Sequence, residues 1–236
     1  MAIADDTRFT TEAWDAIGDW RSAVEGMPFI RSLADGSLPP DAFAFYLWQD
    51  AAYLTDFSRV LSTASAIAPH SDAQRFFASS AHFALEVELG LHREWLSAHP
   101  VDGGEPGASP VTAAYTNHLL AACVRGSYPV VVAAVLPCYW LYAYIGEVLV
   151  KAAGDLSEHP YQQWIATYSD PAFQESTDTA RRLADEAAVA ADAPTRRSML
   201  DAFVRSAMYE YLFFDQALTK PQWPTAPPQD AGQGVA

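Results

Sequence analysis

The chain has 236 residues and a mass of 25.7 kDa, with half of its residues hydrophobic, enough to bury the core of one sizeable domain. Fourteen Lys and Arg against twenty-nine Asp and Glu give a formal charge of −15, which repels phosphate backbones and anionic lipid and offers no basic stripe; nucleic acid and membrane are set aside as partners. The start, "MAIADDTRF", lacks the positive and apolar regions of a signal peptide, so the expectation is a cytoplasmic protein with reduced thiols at Cys123 and Cys138.

In chain order, the segment 39–68 opens on two prolines and an Asp and then places large apolar residues every three or four positions, predicting a long amphipathic helix. The same periodicity runs through 71–99, which reads as another long helix. A third spans 109–126, starting at Ser-Pro and ending at Gly126 as its C-cap. The apolar run from Tyr128 to "KAAGD" is long enough to cross a membrane. Its Pro137, four tyrosines and Glu147 suit a helix enclosed by other helices instead. A more polar helix lies in 169–194, and a final long one in 195–220. The breaks "ADGSLPP", "HPVDGGEPGASP", "GDLSEHP" and "ADAP" are short, Gly- and Pro-rich connections between packed helices. No strand pattern bounded by hairpin turns occurs. The expected fold is all-α, one helical domain over 1–220 with a Pro/Gly/Ala-rich tail over 221–236.

Cys138, Asp50 and Glu210 stand out chemically. Pro137 removes a backbone donor inside the apolar helix, at a cost of ~3 kcal/mol unless compensated, and predicts a kink just before Cys138. Tyr142 follows Cys138 by four residues on the same face, so thiol and phenol can share a cavity. The plainer reading of Cys138 is a small core residue. Asp50 falls among Tyr46, Leu47, Tyr53 and Leu54, and Glu210 among Met208, Tyr209, Tyr211, Phe213 and Phe214. A carboxyl desolvated by aromatics has a raised pKa and suits proton donation near neutrality, although it can equally pair with an arginine or a tyrosine hydroxyl. A thiol, two such acids and many tyrosines together fit a cavity for a flat, polar heteroaromatic molecule, in which the thiol adds to an electron-poor ring carbon.

Four segments carry a family resemblance. "LWQDAAYL", "LPCYWLYAYIGE", "HPYQQWIATY" and "YEYLFFDQA" resemble, in order, the motifs of the TenA/thiaminase II family in its cysteine-containing branch, over approximately residues 8 to 218. The resemblance implies a multi-helix bundle of heme-oxygenase-like fold, commonly a homotetramer, that hydrolyses an aminopyrimidine or thiamin in thiamin salvage. The product would be 4-amino-5-hydroxymethyl-2-methylpyrimidine, formed with no metal or organic cofactor. It further implies Cys138 as nucleophile, Glu210 as the proton-handling acid and Asp50 as the holder of the pyrimidine's polar edge. Tyr53, Tyr115, Tyr142 and Tyr168 would stack on the ring or hydrogen-bond around it. The leaving group, amine or thiazole, depends on cavity volume beyond the methylene, which sequence does not give.

Two other readings compete with it. Glu88 and His92, four apart on one helical face, suggest a carboxylate-bridged metal oxidase, but the di-iron signature has Glu-x-x-His twice, and the plainer reading of His92 is packing or hydrogen bonding. A non-catalytic regulator or heteroaromatic-binding protein is opposed by the negative charge, by the lack of a basic helix-turn-helix and by a nucleophile a regulator does not need.

Overall fold

The computed structural model describes residues 8–101, 104–124 and 127–225, without the side chains of 87–89 and 91. The described residues form eleven α-helices and one π-helical turn, with no strand among them. Helices α1 (Phe9–Ala16), α2 (Gly18–Gly26) and α3 (Pro28–Ala34) precede the long α4 (Pro40–Ala66). Then come α5 (Ser71–Phe83), the π turn Ala84–Glu88 and α6 (Leu89–Ala98), followed by α7 (Pro110–Val124) and α8 (Tyr128–Ala153). The chain closes with α9 (Gln162–Ser169), α10 (Pro171–Val189) and α11 (Ala193–Thr219).

The boundaries follow from local chemistry. Pro40, Pro110, Pro129, Pro171 and Pro194 lie in the first turns of their helices, where a missing N–H breaks no bond. Asp170 accepts the Ala172 N–H at 2.7 Å and Asp192 the Thr195 N–H at 2.8 Å, satisfying donors that the helices leave open. Helix α8 stops at Gly154, whose φ of 69° suits glycine and ends the expected "KAAGD" segment. Gly126, the expected cap of α7, lies outside the described residues.

Helix α8 is the spine, packed against α9, α10, α11 and α7, while α4 packs on α5, α6, α7 and α11. Its membrane-like apolarity belongs to this packing: 78% of its most apolar stretch is buried inside the protein. It runs as one helix through Pro137, which is itself buried.

One sequence expectation is corrected by the structure, and four short helices are added to it. The single helix expected over 71–99 is divided by the π turn, whose extra residue resets the helical phase by about 100° and sets the face of α6 independently of α5. The three short helices before residue 35, and α9, were not anticipated, because seven to nine residues accumulate too little periodicity to stand out.

Candidate active site

A cavity of about 480 Å³ opens between α4, α5, α8 and the α9–α10 corner. Asp50 from α4, Cys138 and Tyr142 from α8, and Tyr168 from α9 line it. Cys138 is half-buried and precedes Tyr142 by one helical turn, as the spacing predicted. The Tyr142 ring lies 4.8 Å from that of Tyr168, centroid to centroid, and its hydroxyl is 3.0 Å from the Tyr46 hydroxyl. Exposed Ser79, Phe83 and Ala172 stand at the mouth.

Tyr168 is held over the cavity by a close helix crossing. A Cβ built on Gly146 of α8 would meet the Tyr168 carbonyl oxygen at 2.5 Å, so only glycine lets α9 approach α8 this closely.

Glu210, Tyr53 and Tyr115 form a layer behind the cavity wall. The Tyr115 hydroxyl donates to Glu210 Oε1 at 2.5 Å, and the Tyr53 ring packs 4.9 Å from Tyr115 and 5.5 Å from Phe213. Burial pushes the Glu210 carboxyl up to about 8; the charge of Asp50 adds to this and the Tyr115 hydrogen bond opposes it. Glu210 is therefore protonated at neutral pH. Burial and then the negative charge of Glu210 hold the Tyr115 phenol well above its ordinary value, which keeps it a hydrogen-bond donor. The negative form of Cys138 also acts on Tyr53 and Tyr115, tying the thiol to the same cluster.

Asp50 is 3% exposed, and its Oδ2 has no hydrogen-bond partner among the described residues. His92 Nε2 lies 3.2 Å from that oxygen, close enough for an ion pair but without hydrogen-bond alignment. A buried carboxylate left this way is an acceptor awaiting a donor. The expectation that His92 packs or hydrogen-bonds becomes this contact; the side chain of Glu88, its partner in the metal reading, lies outside the described residues.

A buried polar cluster fixes how these layers meet. Gln49 Oε1 accepts the Ser109 N–H at 2.8 Å and the Thr112 hydroxyl at 2.7 Å, while Gln49 Nε2 donates to the Gly107 carbonyl at 3.1 Å. Gln216 Nε2 donates to Thr112 Oγ1 at 3.1 Å, and Ser109 Oγ donates to Gln216 Oε1. The cluster joins α4, α7 and α11 at the residues just before Asp50, one turn before Tyr115 and two turns beyond Glu210. Sequence reasoning missed it, as it missed Tyr46 and the Asp50–His92 pair. The one available signal was Tyr46 standing four residues before Asp50 on the same face.

Residues 17–220 match the TENA/THI-4/PQQC family. The chain belongs to that family. The thiamine biosynthesis multifunctional protein ThiED of Corynebacterium efficiens is 40% identical over 222 residues, covering 94% of this chain but 30% of its own length. The chain thus spans less than a third of that relative. The aminopyrimidine aminohydrolase of Bacillus subtilis is 34% identical over 219 residues, 92% of each chain. Among solved structures, a TenA homologue protein from P. horikoshii OT3 superposes with a TM-score of 0.81 at 22% identity, over 90% of this chain and 99% of its own. A domain with a heme oxygenase-like fold from Shewanella denitrificans superposes at 0.70 with 16% identity, over 93% and 94%. The all-α, heme-oxygenase-like fold expected from the resemblance is the fold of this TENA/THI-4/PQQC chain.

Proposed function

We propose that this protein is an aminopyrimidine aminohydrolase of thiamin salvage. It would convert 4-amino-5-aminomethyl-2-methylpyrimidine, or thiamin, to 4-amino-5-hydroxymethyl-2-methylpyrimidine. The observation that carries the reading is one cavity that presents a thiol, Cys138, and an unsatisfied buried carboxylate, Asp50, between tyrosine rings, with a protonated acid, Glu210, behind its wall. The name of the Bacillus subtilis relative supports the same reaction class.

In this reading the pyrimidine lies against Tyr142 and Tyr168, and its amino group donates to Asp50. The Cys138 sulfur adds to the ring carbon beside the one that bears the methylene, and the displaced ring electrons settle on a ring nitrogen. Their return expels the group on the methylene, as ammonia or the thiazole. Glu210, one layer behind the wall, supplies through a bridging water the proton that a departing amine needs and recovers one from the water that adds in its place. Loss of the thiolate restores the ring and frees the alcohol. Tyr115 holds the Glu210 carboxyl in place, and Tyr53 backs Tyr115. A cavity of about 480 Å³ exceeds what a single pyrimidine ring fills, which leaves room for a leaving group toward the mouth. Assembly as a homotetramer and residence in the cytoplasm belong to the same proposal and rest on the family resemblance and the sequence reading.

The test is release of ammonia and pyrimidine alcohol from the aminomethyl pyrimidine, in parallel with release of thiazole from thiamin. Cys138→Ser is expected to lose turnover by a factor on the order of 1,000 or more while still binding the hydroxymethyl product. Full activity in that variant removes Cys138 as nucleophile; no turnover of either compound by folded wild type removes the function.

A further inference from the structure

The cavity extends outward past the rings assigned to the pyrimidine. At the α9–α10 corner the Tyr142 and Tyr168 rings lie 4.8 Å apart, and Phe173 of α10 meets Tyr168 at 5.1 Å, edge to face. On the α5 side, Phe76 lies 5.8 Å from Tyr139, the residue next to Cys138. These rings line one cavity whose volume, about 480 Å³, is more than the pyrimidine fills, so its outer part is room for whatever the methylene carries. Exposed Ser79 of α5 and exposed Asp170, at the head of α10, stand at its rim.

The charge of this lining has one sign. Among the described residues it holds two carboxylates, Asp50 and Asp170, and no Lys, Arg or His. The N-terminus of α10 offers an anion little either: Pro171 has no N–H, and Asp170 Oδ1 accepts the Ala172 N–H at 2.7 Å. Aromatic faces beside a carboxylate attract a cation, most of all a flat one that can lie on a ring. A phosphate in the same place meets a negative charge and finds no cationic partner.

We propose that Asp170 and Phe173 form the leaving-group end of the site and select a flat, cationic and unphosphorylated leaving group, the thiazolium of free thiamin. This inference rests on the function proposed above. With the methylene near Cys138, the thiazolium lies along Phe173 and its hydroxyethyl arm runs out past Asp170. A phosphate on that arm is thereby carried to the Asp170 carboxylate. The amine of the aminomethyl pyrimidine ends one atom beyond the methylene and makes neither contact, so the ratio of the two substrates reports on this end of the cavity.

The test compares kcat/KM for thiamin, thiamin monophosphate, the acetate ester of the same thiamin hydroxyl, which adds bulk without negative charge, and the aminomethyl pyrimidine. Wild type is set beside Asp170→Asn, which keeps an oxygen for the helix cap, and Ser79→Lys, which places a cation at an exposed helical position of the rim. Melting temperature is the control for folding. Wild type is expected to use the monophosphate about 10-fold or more less well than thiamin and the acetate ester within about threefold of it, and the monophosphate gap is expected to widen at low salt. Both variants are expected to shrink that gap to about threefold, and Asp170→Asn to lower the ratio of thiamin to aminomethyl pyrimidine. A monophosphate used as well as thiamin, an acetate ester rejected as strongly as the monophosphate, or a gap unchanged in the folded variants overturns the selection. Turnover of the aminomethyl pyrimidine without turnover of thiamin also overturns it, and leaves the aminohydrolase standing. No turnover of any substrate by folded wild type overturns that function, and the selection with it.

Discussion

Asp50 and Glu210 occupy similar surroundings, yet their geometry separates their tasks. Asp50 lines the cavity with its Oδ2 turned to His92, whereas Glu210 lies one layer deeper with Tyr115 donating to it. Because burial raises Glu210 to about 8, its native form keeps a proton that the unfolded chain releases near 4.5. The native state therefore binds more protons between these pH values, so Glu210 lowers stability progressively as pH rises through that window, with a slope of ~1.4 kcal/mol per pH unit at most. Glu210→Gln is expected to flatten this slope in denaturant titrations at pH 5, 6.5 and 8. The same variant is expected to remove the fall in kcat/KM as pH rises through about 8, since the proton donor of the wild type is lost there. Both acids were legible in the sequence as charges misplaced among aromatics. His92 was legible as a metal-ligand candidate beside Glu88 or, more plainly, as a packing or hydrogen-bonding residue, but not as the partner of Asp50, which stands 42 positions away on another helix.

Among the elements, α8 carries the thiol and sets where α9 meets the cavity. Its one-turn spacing sets Cys138 and Tyr142 on a common face, and Gly146, one turn further, sets the distance to α9 and hence to Tyr168. Gly146→Ala puts a methyl against backbone, which cannot swing aside as a side chain does. The expected result is a loss of about 1–3 kcal/mol in urea unfolding together with a raised KM for the pyrimidine, since Tyr168 is displaced from the cavity. A KM equal to wild type in the folded variant contradicts the placement of Tyr168 as a wall of the site. Helix α8 was legible from end to end, since its apolar run is bracketed by Pro129 and Gly154. The division of 71–99 was not, because a π turn interrupts a helix without any breaker residue to mark it.

Across the whole molecule, the Gln49–Ser109–Thr112–Gln216 cluster ties the two sides of the cavity together through three helices and the loop before α7. Gln216→Ala leaves Thr112 and Ser109 short of partners in a buried place, and is expected to cost about 1–3 kcal/mol in chemical denaturation. It is also expected to reduce kcat, because the register between α7 and α11 that joins Tyr115 to Glu210 loosens. Gln216→Glu, which keeps the acceptor oxygen but adds a buried charge, is expected to be worse than Ala at pH 8 and closer to it at pH 5. The end of the chain adds a smaller tie, where the Trp223 indole donates to the Ala108 carbonyl at 2.9 Å beside this cluster. Residues 226–236, most of the expected tail, lie outside the described residues.

The sequence by itself determined the helical class, the long helices and the misplaced polar residues, because helical periodicity, proline and glycine boundaries and local composition are properties of neighbouring residues. It also placed Cys138 and Tyr142 together, since one helical turn separates them. Only the tertiary structure decided that Cys138, Asp50, Tyr142 and Tyr168 face one cavity while Glu210, Tyr53 and Tyr115 stand behind it, and that Asp50 meets His92. Those relations join residues tens of positions apart on different helices, and they depend on helix phase and crossing distance, set at the π turn and at Gly146 by packing that no local pattern encodes.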